Sequence, residues 1–236
     1  LFHQHLGIEH NTIKIKELEG LLVGRGTILG EKEVPDYERF IPKKEFIKND
    51  NRFSPPGVEW LYLAIGNETD IHECSQAECR ARDGNRFGFC HFSFNDTSLE
   101  LKLVDLTIAD DISYENLNSC LEEYGQKQVE QSIKVAKTHG FIPKKNINVS
   151  EFIRLLTEWG VYTYTKLLSE QIFEPLSDTD DKTLMYAPFQ TMAQYYISLG
   201  YSGIIYGSTV SSKGRNIVLF DKNVAYPIGA IEDYIL

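Results

Sequence analysis

The sequence contains no apolar run near the roughly 18 residues that a membrane-spanning helix requires, and its opening, LFHQHLGIEHNTIKIK, lacks the long apolar stretch of a secretory leader. No membrane segment is expected, and a cytoplasmic location is the default. The chain starts at Leu1 rather than Met, which leaves a trimmed start open. Positive charge is also short: 24 Lys and Arg stand against 34 Asp and Glu, a net −10. A protein that binds phosphate backbones needs a basic face, so nucleic acid is not an expected partner. Four cysteines (Cys74, Cys79, Cys90 and Cys120) in 236 residues are too few and too unevenly spaced for a disulfide framework, so reduced thiols are expected. The Asn-X-Ser/Thr patterns at Asn67, Asn95 and Asn148 are too short to carry weight. There is no internal repeat, no low-complexity linker, no CxxC pair and no six-residue glycine fingerprint around the lone GRG of Gly24–Gly26.

What is present is a hydrophobic fraction of 42% with 12% aromatics, enough for a proper core. GLLVGRGTILG (Gly20 to Gly30), WLYLAIG after the Pro55-Pro56-Gly57 turn, and FGFCHFSF read as strands. LELKLVDLTI reads as a half-buried strand with Leu99, Leu101 and Leu103 on one face. Asn67-Glu68-Thr69-Asp70 offers N-cap side chains to a helix that runs through IHECSQAECRAR toward Gly84. From about 113 to 188 the pattern is helical, with Gly160 and the Tyr-rich VYTYT interrupting the segment from Ser150 to Phe173. TMAQYYISLG is a helix whose glycine cap is Gly200, and SGIIYGS and RNIVLF form a hairpin across VSSKG. The expectation is one mixed α+β domain over residues 1–236 with a helical insertion at about 113–188.

Two constellations carry possible chemistry. His72, Cys74, Cys79, Cys90 and His91 are all zinc-ligand types, but their intervals are irregular, so buried free thiols are the reading and no metal is expected. The second is RFSPPGVEWLYLAIGNETDIHE, with Arg52, Tyr62 and Glu73. An arginine suits phosphates, because its planar fork donates two parallel hydrogen bonds. A tyrosine lies against a flat heterocycle and keeps its hydroxyl. A glutamate accepts from a ribose hydroxyl and sets negative charge beside a developing oxocarbenium ion. Such a set would serve an anionic dinucleotide whose nicotinamide leaves as a neutral base. The same residues have plainer readings as a surface arginine, a core tyrosine and a helix-start carboxylate, and spacing does not choose between them.

The block from Arg52 to Glu73, followed by QTMAQYYISLGYSGIIYGSTVSSKGRNIVLF from Gln190 to Phe220, resembles the RES domain, named for its Arg, Glu and Ser. The resemblance implies an ADP-ribosyltransferase-like fold with a mixed β core, and the activity of the NAD-depleting toxins of bacterial toxin–antitoxin pairs. It implies Arg52, Tyr62 and Glu73 as the catalytic set, Ser208 on phosphate, and Arg25 as an additional phosphate-binding arginine. Asn216 matches as well and is read as structural. The implied activity is cleavage of the nicotinamide–ribose bond of NAD+ by phosphorolysis or hydrolysis, with no cofactor beyond NAD+ as substrate and inorganic phosphate as possible co-substrate. A mono-ADP-ribosyltransferase with a macromolecular acceptor and a silent nucleotide-sensing module are the alternatives. The helical segment is longer than a minimal RES domain suggests, and is a candidate lid, homo-oligomer interface or surface for a neutralising antitoxin.

Overall fold

The computed structural model describes residues 11–140, 149–172, 181–211 and 214–236. Parts of the expected insertion, Ser212 and Lys213 of the hairpin loop, and the Asn148 acceptor pattern lie outside the described residues. Eight strands, β1 (Thr12–Lys14), β2 (Leu22–Ile28), β3 (Leu61–Gly66), β4 (Arg86–Phe94), β5 (Lys102–Asp105), β6 (Gly203–Gly207), β7 (Arg215–Leu219) and β8 (Ala225–Ile235), form one sheet in the order β1-β5-β6-β7-β3-β2-β4-β8. Among the described residues only β5 and β6 run parallel, and four helices accompany the strands: α1 (Glu68–Glu78), α2 (Tyr114–His139), α3 (Val149–Ile172) and α4 (Lys182–Ser198). The protein is therefore a mixed α/β chain with one mixed sheet, consistent with an α+β class. Among the described residues, no helix is long and apolar enough to cross a membrane.

The chain forms two compact units, one holding Asn11 and Thr107–Leu168, the other Thr12–Leu106 and Ser169–Leu236. The first contains α2 and most of α3. Ser113, where the helical segment was expected to begin, is the N-cap of α2 and accepts from Asn116 N. Within this unit Trp159 Nε1 donates to Asn118 Oδ1 at 2.9 Å, and the Tyr124 and Phe152 rings stack at 5.8 Å. α3 runs through Gly160 and VYTYT without the expected interruption. An interior glycine costs about 1 kcal/mol of helix propensity, which burial of the adjacent Val161, about 1.5–3 kcal/mol, offsets.

The second unit holds the whole sheet and α4. Leu61, Leu63 and Ile65 of β3 join Val23, Cys90, Ile205, Ile217 and Leu219 in a core on one face. Ala64, Phe87 and Phe89 meet Ile71 and Cys74 of α1 on the other. Strand alternation produces both, because successive side chains of β3 point to opposite faces. α1 stops at Glu78 rather than near Gly84: Cys79 is the C-cap and Arg80 takes φ +52°, in the left-handed region. The expected half-buried strand at Leu99–Leu103 is also shorter. Asp96–Ser98 is a 3-10 turn, Leu99 is exposed, and β5 begins at Lys102 with Leu103 and Val104 both fully buried. Leu103 and Val104 are adjacent and point to opposite faces, so both faces of β5 are covered there and alternation disappears. α4 ends as expected at Gly200, φ +85°, in a Schellman arrangement with Tyr201 N donating to Tyr196 O and Gly200 N to Ile197 O.

Candidate functional site

A cavity opens where two strands part. β2 pairs with β3 only at Leu22–Gly66, Val23–Ile65 and Gly24–Ala64. Past Gly24, β2 continues on β4 as far as Ile28, while β3 back to Leu61 is held by β7. The gap between them is a cavity of about 420 Å³, lined by Arg25 and Gly26 from one strand and by Trp60, Tyr62 and Leu63 from the other. That volume lies within the range of small-molecule sites.

The GRG on β2 is a packing device that serves this opening. A Cβ at Gly24 would lie 2.2 Å from Phe89 Cζ, and one at Gly26 would lie 2.2 Å from Phe87 Cζ. The two rings lie across bare backbone, and alternation turns Arg25 to the opposite face. Arg25 is partly exposed as a residue, yet its Nη1 is shut off from solvent and has no hydrogen-bond partner among the described residues. Burial pushes its pKa below the ordinary value; nearby Cys79 acts the other way. A desolvated guanidinium N–H without an acceptor is unfavourable by itself, and favours an anionic oxygen as its ligand.

Tyr62 lines the cavity, and its hydroxyl lies 2.9 Å from Ser54 Oγ. Burial raises its pKa, outweighing the Ser54 bond and the charges of Arg25 and Arg52, so the phenol stays protonated and can donate. Tyr206, also lining, is raised in the same way, with its ring edge-on to Phe53 at 4.9 Å. Arg52 is not among the lining residues, but its charge reaches both tyrosines, and its guanidinium carbon lies 5.9 Å from the centre of the Tyr186 ring. The preceding loop is tied to α4: Asp50 accepts from Thr183 Oγ1 at 2.8 Å and from Gln190 Nε2 at 2.9 Å.

Glu73 is exposed and does not line the cavity. The carboxylate that does is Glu78. The buried side of α1 carries Ile71, Cys74 and Ser75. Glu78, itself exposed, continues the line of that stripe at i, i+3, i+4, i+7 to the cavity rim, whereas Glu73 sits about 200° around the helix from Ile71. That periodicity is in the sequence, and would have drawn attention to Glu78. Its Oε1 accepts from Ser208 Oγ at 2.8 Å and from Asn216 Nδ2 at 2.6 Å, leaving Oε2 without a hydrogen-bond partner among the described residues. Ser208 itself is fully engaged. It gives its one proton to Glu78 and accepts from the backbone N–H groups of Val210 and Ser211 at 3.2 and 3.1 Å. It holds Glu78 and folds the β6–β7 loop, and has no donor left for a phosphate. Asn216 does the same from β7, while its Oδ1 lies 3.5 Å from Cys74 Sγ.

The structure thus brings Arg25 and Tyr62 to one cavity, with Arg52 beside it and Ser208 acting through Glu78, and leaves Glu73 outside. A scan against protein-family models and a search of curated proteins both find no match. The site stands on its own chemistry. Cys79 also lines it, but burial pushes its thiol up to about 11 despite nearby Arg25, so it is not a thiolate nucleophile near neutral pH. A second cavity of about 450 Å³ shares Arg25, Pro42, Phe46 and Ile47 with the first and extends to Arg39 and Lys43, which pair with Glu33 and Glu38 of the same wall.

Proposed function

We propose that the cavity binds NAD+ and that the protein cleaves its nicotinamide–ribose bond, with phosphate or water as acceptor. The observation that carries this reading is a buried guanidinium nitrogen lacking an acceptor in the same cavity as a carboxylate anchored through one oxygen only. The first calls for an anion. The second suits a hydroxyl-bearing carbon centre that becomes cationic. A sugar carrying a diphosphate and a positively charged leaving base supplies both, and two adjoining cavities that share Arg25 give a dinucleotide the length it needs.

In this reading Arg25, supported by the charge of Arg52, holds the diphosphate. Tyr62, protonated, donates its hydroxyl and presents its ring to the nicotinamide ribose. Glu78 accepts a ribose hydroxyl on Oε2 and faces the positive charge that grows at the anomeric carbon as the C–N bond breaks. The bonding electron pair passes to the pyridine nitrogen, which becomes neutral, so no general acid is needed. A phosphate oxygen or water then bonds to the anomeric carbon, water losing its proton to solvent. Glu73, the carboxylate suggested by the RES resemblance, is replaced in this role by Glu78.

The test is nicotinamide release from NAD+ by the purified chain, with and without inorganic phosphate, followed by chromatography. Release accompanied by ADP-ribose 1″-phosphate or by ADP-ribose is the expected outcome and identifies the acceptor. A folded protein that releases nicotinamide under neither condition overturns the proposal.

A further inference from the structure

Glu68, His72, His91 and Glu232 converge at a place that the cavity does not use. Glu68 and His72 lie one turn apart on α1, His91 is on β4, and Glu232 is on β8. His72 Nε2 is 3.2 Å from Glu68 Oε1 and 3.7 Å from Glu232 Oε1; His91 Nε2 is 3.4 and 3.5 Å from the same two oxygens. All four ligand atoms lie within 4.8 Å of one another. Four ligands around a zinc ion with bonds of about 2.0 Å stand roughly 3.3 Å apart along the edges of their tetrahedron; the four His–Glu edges, at 3.2–3.7 Å, lie near that value, and the remaining two are within 4.8 Å.

Each neutral imidazole has at most one N–H at Nε2. Nε2–H donors can serve the two oxygens one apiece, yet each Nε2 stands between both oxygens rather than facing one. A central dication serves all four atoms, and two carboxylates neutralise its charge. The imidazoles are also held for the task. His72 Nδ1 lies 3.2 Å from Tyr234 Oη, which accepts from Gln76 Nε2 at 3.2 Å; in the tautomer whose Nδ1–H donates to Tyr234, the Nε2 lone pair faces the cluster. Phe89 stacks on His72 at 3.8 Å and meets His91 edge-on at 5.1 Å, fixing both ring planes.

We propose that Glu68, His72, His91 and Glu232 bind one divalent transition-metal ion, zinc by preference because imidazole and carboxylate in a closed four-ligand set suit it. The ion fastens the start of α1 to β4 and to β8, a strand whose only sheet partner among the described residues is β4. The sequence pattern had weighed His72 and His91 together with three thiols. Those thiols point elsewhere: Cys74 to Asn216, Cys79 to the Gly26 carbonyl and Cys90 to the His91 carbonyl. Two carboxylates, one from the C-terminal strand, complete the set instead. The proposal does not depend on what the cavity binds.

The test titrates zinc into the full chain after chelator treatment, by calorimetry, alongside the variants His91→Gln, Glu232→Gln and Tyr234→Phe. Wild type should take one equivalent and melt at higher temperature with zinc. Tyr234→Phe should weaken binding roughly tenfold, as loss of an outer-shell partner does. His91→Gln and Glu232→Gln should weaken it further and lose the thermal gain. Cobalt should give the intense visible bands of a four-coordinate N/O site in wild type and not in His91→Gln. Should His91→Gln fail to fold by circular dichroism, Glu232→Gln, a change at a partly exposed edge-strand residue, provides the comparison. No zinc uptake, undiminished affinity in a folded ligand variant, or a thiolate-to-cobalt absorption band overturns the proposal.

Discussion

Exchanging the two candidate carboxylates for amides separates the structural assignment from the one suggested by sequence resemblance. In Glu78→Gln the side-chain carbonyl takes the place of Oε1 and still accepts from Ser208 and Asn216, so both hydrogen bonds and the β6–β7 loop they support are retained. Only the charge is lost. For unit charges about 4 Å apart at an effective dielectric near 20, Coulomb attraction is about 4 kcal/mol, or close to three decades of rate at about 1.36 kcal/mol per decade. The amide dipole retains part of this. The expected fall in nicotinamide release is therefore roughly a hundred- to a thousandfold, in kcat more than in KM, because the interaction strengthens in the transition state.

Stability should stay within about 0.5 kcal/mol of wild type, as for a substitution that leaves no buried group unpaired. Glu73→Gln changes an exposed side chain with no hydrogen-bond partner among the described residues, and should leave both turnover and stability unchanged. The assay is single-turnover nicotinamide release at saturating NAD+, with urea melts of both variants. If Glu73→Gln abolishes turnover while Glu78→Gln retains it, the cavity assignment is wrong. If neither matters, the carboxylate role fails altogether.

Two further expectations concern the frame of the site. Gly24→Ala and Gly26→Ala each drive a methyl into an aromatic ring at 2.2 Å, and should lose about 1–3 kcal/mol each in urea melts through overpacking; unchanged midpoints would show that Phe87 and Phe89 have room to move. Glu100, hydrogen-bonded to Lys14 and Lys16, has its pKa held down to about 2 from an ordinary 4.5. A depressed folded value means that its contribution to stability is present above 4.5 and lost as pH falls toward 2. A carboxyl titration by NMR should place its midpoint near that value, and Lys14→Ala should move it upward; an ordinary midpoint in wild type would show that the ion pairs do not persist in solution.

Strands and turns were legible wherever local chemistry decided them. WLYLAIG, FGFCHFSF and the hairpin from SGIIYGS to RNIVLF each correspond to a strand, because β-branched and aromatic residues between turn residues leave little choice. The ends of elements were less legible, since they depend on neighbours. α1 stops at Glu78 because Cys79 and Arg80 turn the chain, and β5 starts late because the 3-10 turn at Asp96–Ser98 takes the residues before it. Of the site, Arg25 and Tyr62 were within reach of sequence reasoning. Linear spacing points to Glu73, whereas helix angle decides which of two exposed carboxylates borders the cavity, and that is Glu78. The metal-ligand set was half legible. His72 and His91 stood out, but Glu232 enters only through the pairing of β8 with β4 around a register shift between Phe89 and His91.

Both proposals bear on one short helix, and its weakness explains why. α1 has 11 residues, and its buried side chains are Ile71, Cys74 and Ser75, one of them polar. Such a helix is marginal on its own, and so small an apolar face fixes its rotation poorly. A rotation of about 15° moves a side-chain tip at the helix radius of roughly 5–6 Å by about 1.5 Å, and a misplacement of about 1 Å costs on the order of a hundredfold in rate. Glu78 therefore needs α1 held at both ends. Ser208 and Asn216 hold the last turn, and the Glu68–His72–His91–Glu232 cluster holds the first. The ten helical steps from Glu68 to Glu78 span about 15 Å, nearly twice the screening length of about 8 Å at physiological salt, and the proposed ion's charge is balanced by its own two carboxylates. Any influence of the metal on turnover is thus mechanical rather than electrostatic, transmitted as the orientation of a rigid helix.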